Sequence, residues 1–281
     1  GACLFAAFPE WYATLFSGFY LPLLLILLAL ILRGVSFEYR HQREGLAWKR
    51  GFDRMIVIGS VVPALLWGVA FGNIVQGVPI DADKEFTGSL LTLLNPYGLW
   101  VGVTTLLLFF LHGLYFVGLK ADGRVKEDAH ALARRVAIPT ILFAAGTVVW
   151  TTAIAMDRDA PALAAVIGCG VAAALALIGS AVANLRERDG WAFALGAVTI
   201  VTAVLTLWFA LFPFVMPSST DPAFSLTIEN ASSTDYTLGV MTWAAVIFLP
   251  GILAYQAWTY WVFRKRISRA QIEKADAAAA H

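Results

Sequence analysis

Apolar positions along this chain of 281 residues gather into long uninterrupted stretches, and polar positions fill the gaps between them. A bilayer presents roughly 30 Å of hydrocarbon, which a helix crosses with about 20 mostly apolar residues. Seven stretches reach that length: 11–32, 55–75, 97–119, 136–156, 163–182, 191–214 and 238–263. Buried helices of soluble domains need far shorter apolar runs, so seven long ones predict an all-α, polytopic transmembrane helix bundle with seven complete spans. Residues 1–281 then form a single integral membrane domain, with 264–281 as a tail.

Composition changes this picture little. The chain is 14% charged, against about 25% in soluble domains. The placement of charge says more. Of 20 basic residues, all but Lys84 and Arg158 lie in the gaps 33–54, 120–135 and 183–190 or after Phe263. Cytoplasmic loops are the ones rich in Lys and Arg, so those gaps and the C-terminal tail face the cytoplasm. The other gaps carry acids, among them Asp81, Asp83, Glu85, Asp157, Asp159 and Asp221. The net charge of +1 says nothing about a nucleic-acid partner, since no basic surface is left once the loops are assigned to a membrane face. Residues 1–8, GACLFAAF, read as the last turns of an apolar helix, which predicts the outer end of a helix whose upstream part is missing.

Several features bear on packing. Ala164, Gly168, Ala172, Ala176, Ser180 and Asn184 recur every four residues, the spacing at which small residues let two helices approach in lipid. Pro22, Pro63, Pro139 and Pro250 interrupt other spans. Each frees the carbonyl four residues earlier, so those helices are expected to lean on a neighbour or on water. Trp100, Trp191, Trp243, Trp258 and Trp261 stand near span ends, as interface anchors do.

Chemistry is sparse. A haem buried between helices usually takes two axial ligands, mostly His or Met. His41 and His130 fall in cytoplasmic gaps and His281 in the tail, leaving His112 inside a span. Met156, Met216 and Met241 lie toward the outer face and Met55 at the inner edge, so no pair shares a depth. His112 is therefore expected to be a hydrogen-bonded interior residue, with ligation the minor reading. Cys3 and Cys169 form no CxxC and read as buried thiols. No nucleotide loop or HExxH is present, and no carboxylate lies near the midplane. Asn73, Gln76 and Asn95 bracket a glycine-rich outer loop and read as loop-forming. Glu10 at the outer face, and Arg33 and Glu38 at the inner, are the ionisable residues at span ends that stand as candidates for polar or proton-path roles.

Read together, certain segments resemble subunit II of the cytochrome bd-type quinol oxidases. They are FPFVMPSST at 212–220, SLTIENASSTDYTLGVMTW at 225–243, GVAFGNIVQGVP at 68–79, LNPYG at 94–98, FAAFP at 5–9, FSGFY at 16–20 and RGVSFEYR at 33–40. They follow the family order across nearly the whole chain. The family's extra N-terminal helix and its acidic WDGN-type motif have no counterpart here, so the proton-delivery role of that acid goes to no numbered residue. The resemblance implies two four-helix bundles plus a peripheral helix, in the bacterial cytoplasmic membrane. It implies a subunit I partner that holds two b-type haems, a haem d and the quinol site. This chain would then bind no cofactor of its own beyond a structural quinone or lipid, and would serve as a non-catalytic subunit that shields the haems and contributes to proton or oxygen access. Small accessory membrane subunits are a further class of partner. A secondary transporter is the alternative from a different class, and a structural subunit of another respiratory complex is a third.

Overall fold

Apolar length sets the architecture. The structure, a computed structural model, describes residues 2–263, and the expected cytoplasmic tail 264–281 lies outside the described residues. In chain order the elements are α1 (Ala2–Ala7), α2 (Pro9–Gly18), α3 (Tyr20–Tyr39), α4 (Leu46–Gln76), α5 (Leu90–Leu93), α6 (Pro96–Lys120), α7 (Arg124–Asp157), α8 (Leu163–Leu185) and α9 (Asp189–Leu211). Strand β1 (Phe214–Met216), a 3-10 turn at Pro222–Phe224, strand β2 (Leu226–Thr227), α10 (Ile228–Ala231) and α11 (Asp235–Val262) complete the described chain. Seven of these helices, α3, α4, α6, α7, α8, α9 and α11, are long and apolar enough to cross a membrane. Helices α6–α9 close into a four-helix bundle, α4 packs on α6, and α3 packs on α4. Helix α11 stands apart and touches α1.

Several span boundaries differ from the apolar pattern, and α3 and α4 run past it at their facing ends, to Tyr39 and from Leu46. The first span begins at Tyr20 rather than Trp11, because the chain breaks between α2 and α3 at Phe19. Pro22 has no N–H to offer the Gly18 carbonyl, so the helix cannot run straight through. At the far end, α9 stops at Leu211 and the chain turns through a cis Phe212–Pro213 bond into β1. The antiparallel β1–β2 ribbon, with Phe214 opposite Thr227 and Met216 opposite Leu226, is an element that hydrophobic periodicity over three residues cannot announce. On the side expected to face the cytoplasm, here called inner, α7 starts at Arg124, so most of the expected loop 120–135 is helix.

The seam between α4 and α6 is built from glycine on both sides. A Cβ on Gly68 would sit 2.7 Å from the Gly102 Cα, and one on Gly72 would sit 3.0 Å from the Gly98 Cα. Gly68/Gly72 and Gly98/Gly102 are thus two small-xxx-small pairs facing one another, the arrangement that lets backbones touch in lipid. Helix α4 meets α3 in the same way, where a Gly59 Cβ would lie 2.5 Å from the Ala29 carbonyl oxygen. That contact gives the helix carrying Pro63 the neighbour it was expected to need. Pro250 has no such support: no residue of α11 is buried within the described chain.

The small-residue stripe of α8 behaves differently from the expected single contact line. Ala176, Ser180 and Asn184 are buried, but Ala164, Gly168 and Ala172 are exposed. Four residues turn a helix by roughly 400°, so a four-residue repeat drifts about 40° per step and leaves the interface within a few turns. The buried face instead runs through Val166, Gly170, Ala173 and Leu177. Trp100 is also not an interface anchor. Its indole N–H donates to the Phe143 carbonyl at 3.1 Å, and its ring covers Gly146 inside the bundle. Trp191, Trp243, Trp258 and Trp261 are exposed, as anchors are. Cys3 is exposed and Cys169 half-buried, so neither is the fully buried thiol expected.

Gly72→Leu forces apart two backbones that cannot separate locally. The expected outcome is a lower thermal unfolding temperature for the detergent-solubilised protein, with a loss of about 1–3 kcal/mol for overpacking. Gly113→Ala, where a Cβ meets nothing within 4 Å, serves as the control and should leave it unchanged.

Candidate functional site

Two polar constructions stand at opposite ends of the molecule. The outer one is a cap. Asn73, 1% exposed, donates through Nδ2 to the Val69 carbonyl at 2.8 Å and to the Leu93 carbonyl at 2.7 Å. Its Oδ1 accepts from Asn95 Nδ2 at 2.7 Å, and Asn95 Oδ1 in turn accepts the Gly98 N–H that opens α6. A single relay thus ties the end of α4 to the start of α6 across the glycine seam, and each buried amide group in it has a partner. Loop-forming describes Asn95, which caps α6, but Asn73 is a buried bridge between helices.

Over this floor lies the segment 212–220. Val78 N–H donates to the Pro217 carbonyl at 3.0 Å, Ser219 N–H to the Val78 carbonyl at 2.9 Å, and Trp11 Nε1 to the Val215 carbonyl at 3.0 Å. Beneath them Leu15, Phe19, Ile74, Val78, Ile80 and Met216 share one apolar core. Every segment that carries the family resemblance converges here except RGVSFEYR, which lies at the inner end of α3.

Both basic residues that break the charge rule are fixed in this cap. Lys84 Nζ pairs with Glu10 at 3.3 Å and donates to the Asn230 carbonyl at 3.3 Å. Arg158 donates to the Val75 carbonyl at 2.6 Å and to the Gln76 carbonyl. Those are last-turn carbonyls of α4, which carry the negative end of its dipole and accept a cation well. Burial pushes the Arg158 guanidinium below its ordinary value, while the nearby Tyr97 phenol acts the other way.

The inner construction was missed in the sequence. His130 is buried, not in a loop: it lies two turns into α7. Its Nδ1 is 2.7 Å from Asn184 Oδ1 at the end of α8, and its Nε2 is 3.0 Å from Asp189 Oδ1 at the start of α9. The second contact is an ion-pair distance whose alignment falls outside hydrogen-bond geometry. Lys126 Nζ closes the set 2.8 Å from Asp189 Oδ2. A signal existed in the Lys126-x-x-x-His130 spacing, which puts both side chains on one helix face, but their partners are distant in sequence.

The four sequence candidates remain separate. Glu10 joins Lys84 as described. Arg33 lies over the Phe37 ring at 5.8 Å, and Glu38 is exposed. The inner end of α3 is held instead by Arg40, paired with Asp53 of α4 at 2.6 Å. No hydrogen bond or ion pair joins Arg33, Glu38 and His112 to one another among the described residues. His112 stacks on Phe193 with ring centroids 4.6 Å apart. Its Nδ1 is buried without a hydrogen-bond partner, contrary to the expected bonded state.

The surroundings of His112 do not fit a haem. Phe193 covers its ring face, and a Cβ on Gly196 would already approach Nδ1 to 2.8 Å. Met216 is locked in the outer cap, and no methionine belongs to the apolar cluster around this part of α6. Among the described residues no three His, Cys, Asp or Glu side chains gather as a metal site.

Removing the Asp189 carboxylate strands Lys126 and His130. Asp189→Ala is expected to cost on the order of 3 kcal/mol, the scale of breaking a buried pair by deleting one partner. Chemical denaturation in micelles would read this loss, and Asp81→Ala in the exposed outer loop should cost far less.

Over residues 1–263 the sequence matches the family described as cytochrome bd terminal oxidase subunit II. It is 37% identical to cytochrome bd ubiquinol oxidase subunit 2 of Bacillus subtilis over 271 residues, covering 94% of this chain and 78% of that protein. It is also 37% identical to cytochrome bd-I ubiquinol oxidase subunit 2 of Escherichia coli K12 over 309 aligned positions, covering 98% and 81%. In fold it is similar to a chain of the bd oxidase from Geobacillus thermodenitrificans, with a TM-score of 0.63 at 17% identity, over 87% of this chain and 72% of that one. Matched to the family over residues 1–263, a range that takes in the glycine seam, the outer cap and the four-helix bundle, the chain belongs to the cytochrome bd terminal oxidase subunit II family.

Proposed function

We propose that this chain is the haem-free supporting subunit of a cytochrome bd-type quinol:oxygen oxidoreductase, forming one integral membrane domain with its C-terminus in the cytoplasm. Its partner is subunit I, which carries two b-type haems, haem d and the quinol site. Quinol oxidised there delivers electrons to oxygen, with protons drawn from the cytoplasm. This chain walls the haem-bearing subunit and contributes to proton or oxygen access. The observation that carries the reading is the match to the subunit II family over residues 1–263. The crowded surroundings of His112, which leave no room for a porphyrin, support the haem-free part of it. The relatives named above are cytochrome bd oxidase subunits, and the transporter alternative has no support.

Within this reading the inner set Lys126, His130, Asn184 and Asp189 offers titratable groups at the cytoplasmic end, joined across α7, α8 and α9. Glu10, Arg33, Glu38 and His112 keep their polar or proton-path roles as proposals. Glu10 acts with Lys84 in the outer cap, and Arg33 and Glu38 at the inner end of α3. A structural quinone or lipid on the apolar exterior and small accessory subunits complete the assembly.

Purification through a tag on this chain is expected to bring down a complex whose reduced-minus-oxidised spectrum contains the chlorin band. The chain expressed without subunit I should show none, and a chlorin band there would overturn the haem-free assignment. In the intact complex Arg33→Gln is expected to slow turnover or lower the yield of assembled enzyme. Unchanged values would reduce Arg33 to an ordinary interfacial charge.

A further inference from the structure

Between the four helices of the α6–α9 bundle lies a cavity of about 160 Å³. Six threonines border it: Thr104, Thr105, Thr147, Thr151, Thr199 and Thr206. Six hydroxyls from α6, α7 and α9 suggest a wet site, but each is already engaged with a helix carbonyl or a neighbouring hydroxyl. Thr105 donates to the Val101 carbonyl at 2.9 Å, Thr147 to Phe143 at 3.0 Å, Thr199 to Leu195 at 2.9 Å and Thr206 to Thr202 at 2.8 Å. Thr104 is taken up by the Trp100 carbonyl at 2.9 Å and by Thr147, and Thr151 by the Tyr97 hydroxyl at 2.7 Å. Their methyl groups and the surrounding alanine, valine and leucine side chains make the lining almost wholly apolar.

A buried water needs two to four polar partners, and these hydroxyls, tied to helix carbonyls or to one another, present very little oxygen surface to the cavity. An apolar cavity of about 150 Å³ in another protein stays dry and takes up xenon or benzene. The walls also show where a guest enters. Ala145 of α7 and Ile178 of α8 border the cavity and are exposed on the outside of the bundle. The α7–α8 seam is therefore where the cavity comes nearest the outside of the bundle, on a flank that faces hydrocarbon rather than either aqueous phase.

We infer that the α6–α9 bundle holds a dry site for one small apolar molecule, dioxygen, admitted from the bilayer between α7 and α8. Dioxygen concentrates in hydrocarbon relative to water, so a lateral opening samples the richer phase. The identity of the guest as dioxygen rests on the proposed membership of an oxygen-reducing complex, whereas the dryness of the cavity and its affinity for an apolar gas do not.

Xenon, apolar and of comparable size, is the probe. Crystals of the intact complex under xenon pressure are expected to show a xenon peak among Thr104, Thr147 and Thr206. Ala203→Leu, which places a side chain into the cavity, should abolish the peak and raise the oxygen KM of the complex several-fold. Ala173→Val provides a smaller filling should Ala203→Leu fail to assemble. Ordered water in the cavity, a lipid or isoprenoid chain threaded through the α7–α8 seam, or absence of xenon would overturn the site. An unchanged oxygen KM in a variant that has lost xenon would overturn dioxygen as the guest. Failure of the oxidase reading itself would show separately, as a complex without the chlorin band.

Discussion

Contact between two bare stretches of backbone holds this molecule together. Helices in lipid gain nothing from burying apolar surface against one another, because the hydrocarbon is as apolar as leucine. What remains is close packing, and the α4–α6 seam takes this to its limit by placing Gly68 and Gly72 against Gly102 and Gly98. Everything above the seam depends on that distance. Asn73 reaches the Leu93 carbonyl and Asn95 only because α4 and α6 lie this close, and the outer cap rests on their relay. The seam also joins the α3–α4 pair to the four-helix bundle.

The outer cap shows how a polar layer is made stable at the edge of a bilayer. Backbone groups of the 77–89 and 212–234 segments pair with one another rather than with long helices. The cations Lys84 and Arg158 are anchored by a carboxylate and by helix-end carbonyls. Both exceptions to the charge asymmetry are therefore structural. At the inner end the solution differs, with one carboxylate shared between a lysine and a histidine.

Much of this was legible in the sequence, and the limits have physical causes. The seven long apolar helices follow from segment length alone. Ends were less legible where a turn residue decides, as at Pro22 and Pro213. Small residues at four-residue spacing were read in α8, where helical drift carries half of them away from the interface. The same signal is faint in Gly68/Gly72 and Gly98/Gly102, where two positions on each helix suffice and drift has no room to act. The outer-cap partners Glu10 and Lys84 lie far apart in the chain, as do His130 and Asp189, and no local pattern reports such pairs. His112 was legible as interior, but its stacking on Phe193 depends on the rotation of α9.

Helix α7 contains 34 residues, which at 1.5 Å each is about 51 Å, some 20 Å more than the hydrocarbon slab. The surplus lies at its inner end, where Arg124, Arg134 and Arg135 are exposed beside the Lys126–Asp189 tie. An overlong apolar helix must tilt or deform the surrounding lipid when membrane thickness changes. A helix whose excess length carries arginine instead has its surplus at headgroup depth, where basic side chains meet anionic lipid rather than hydrocarbon.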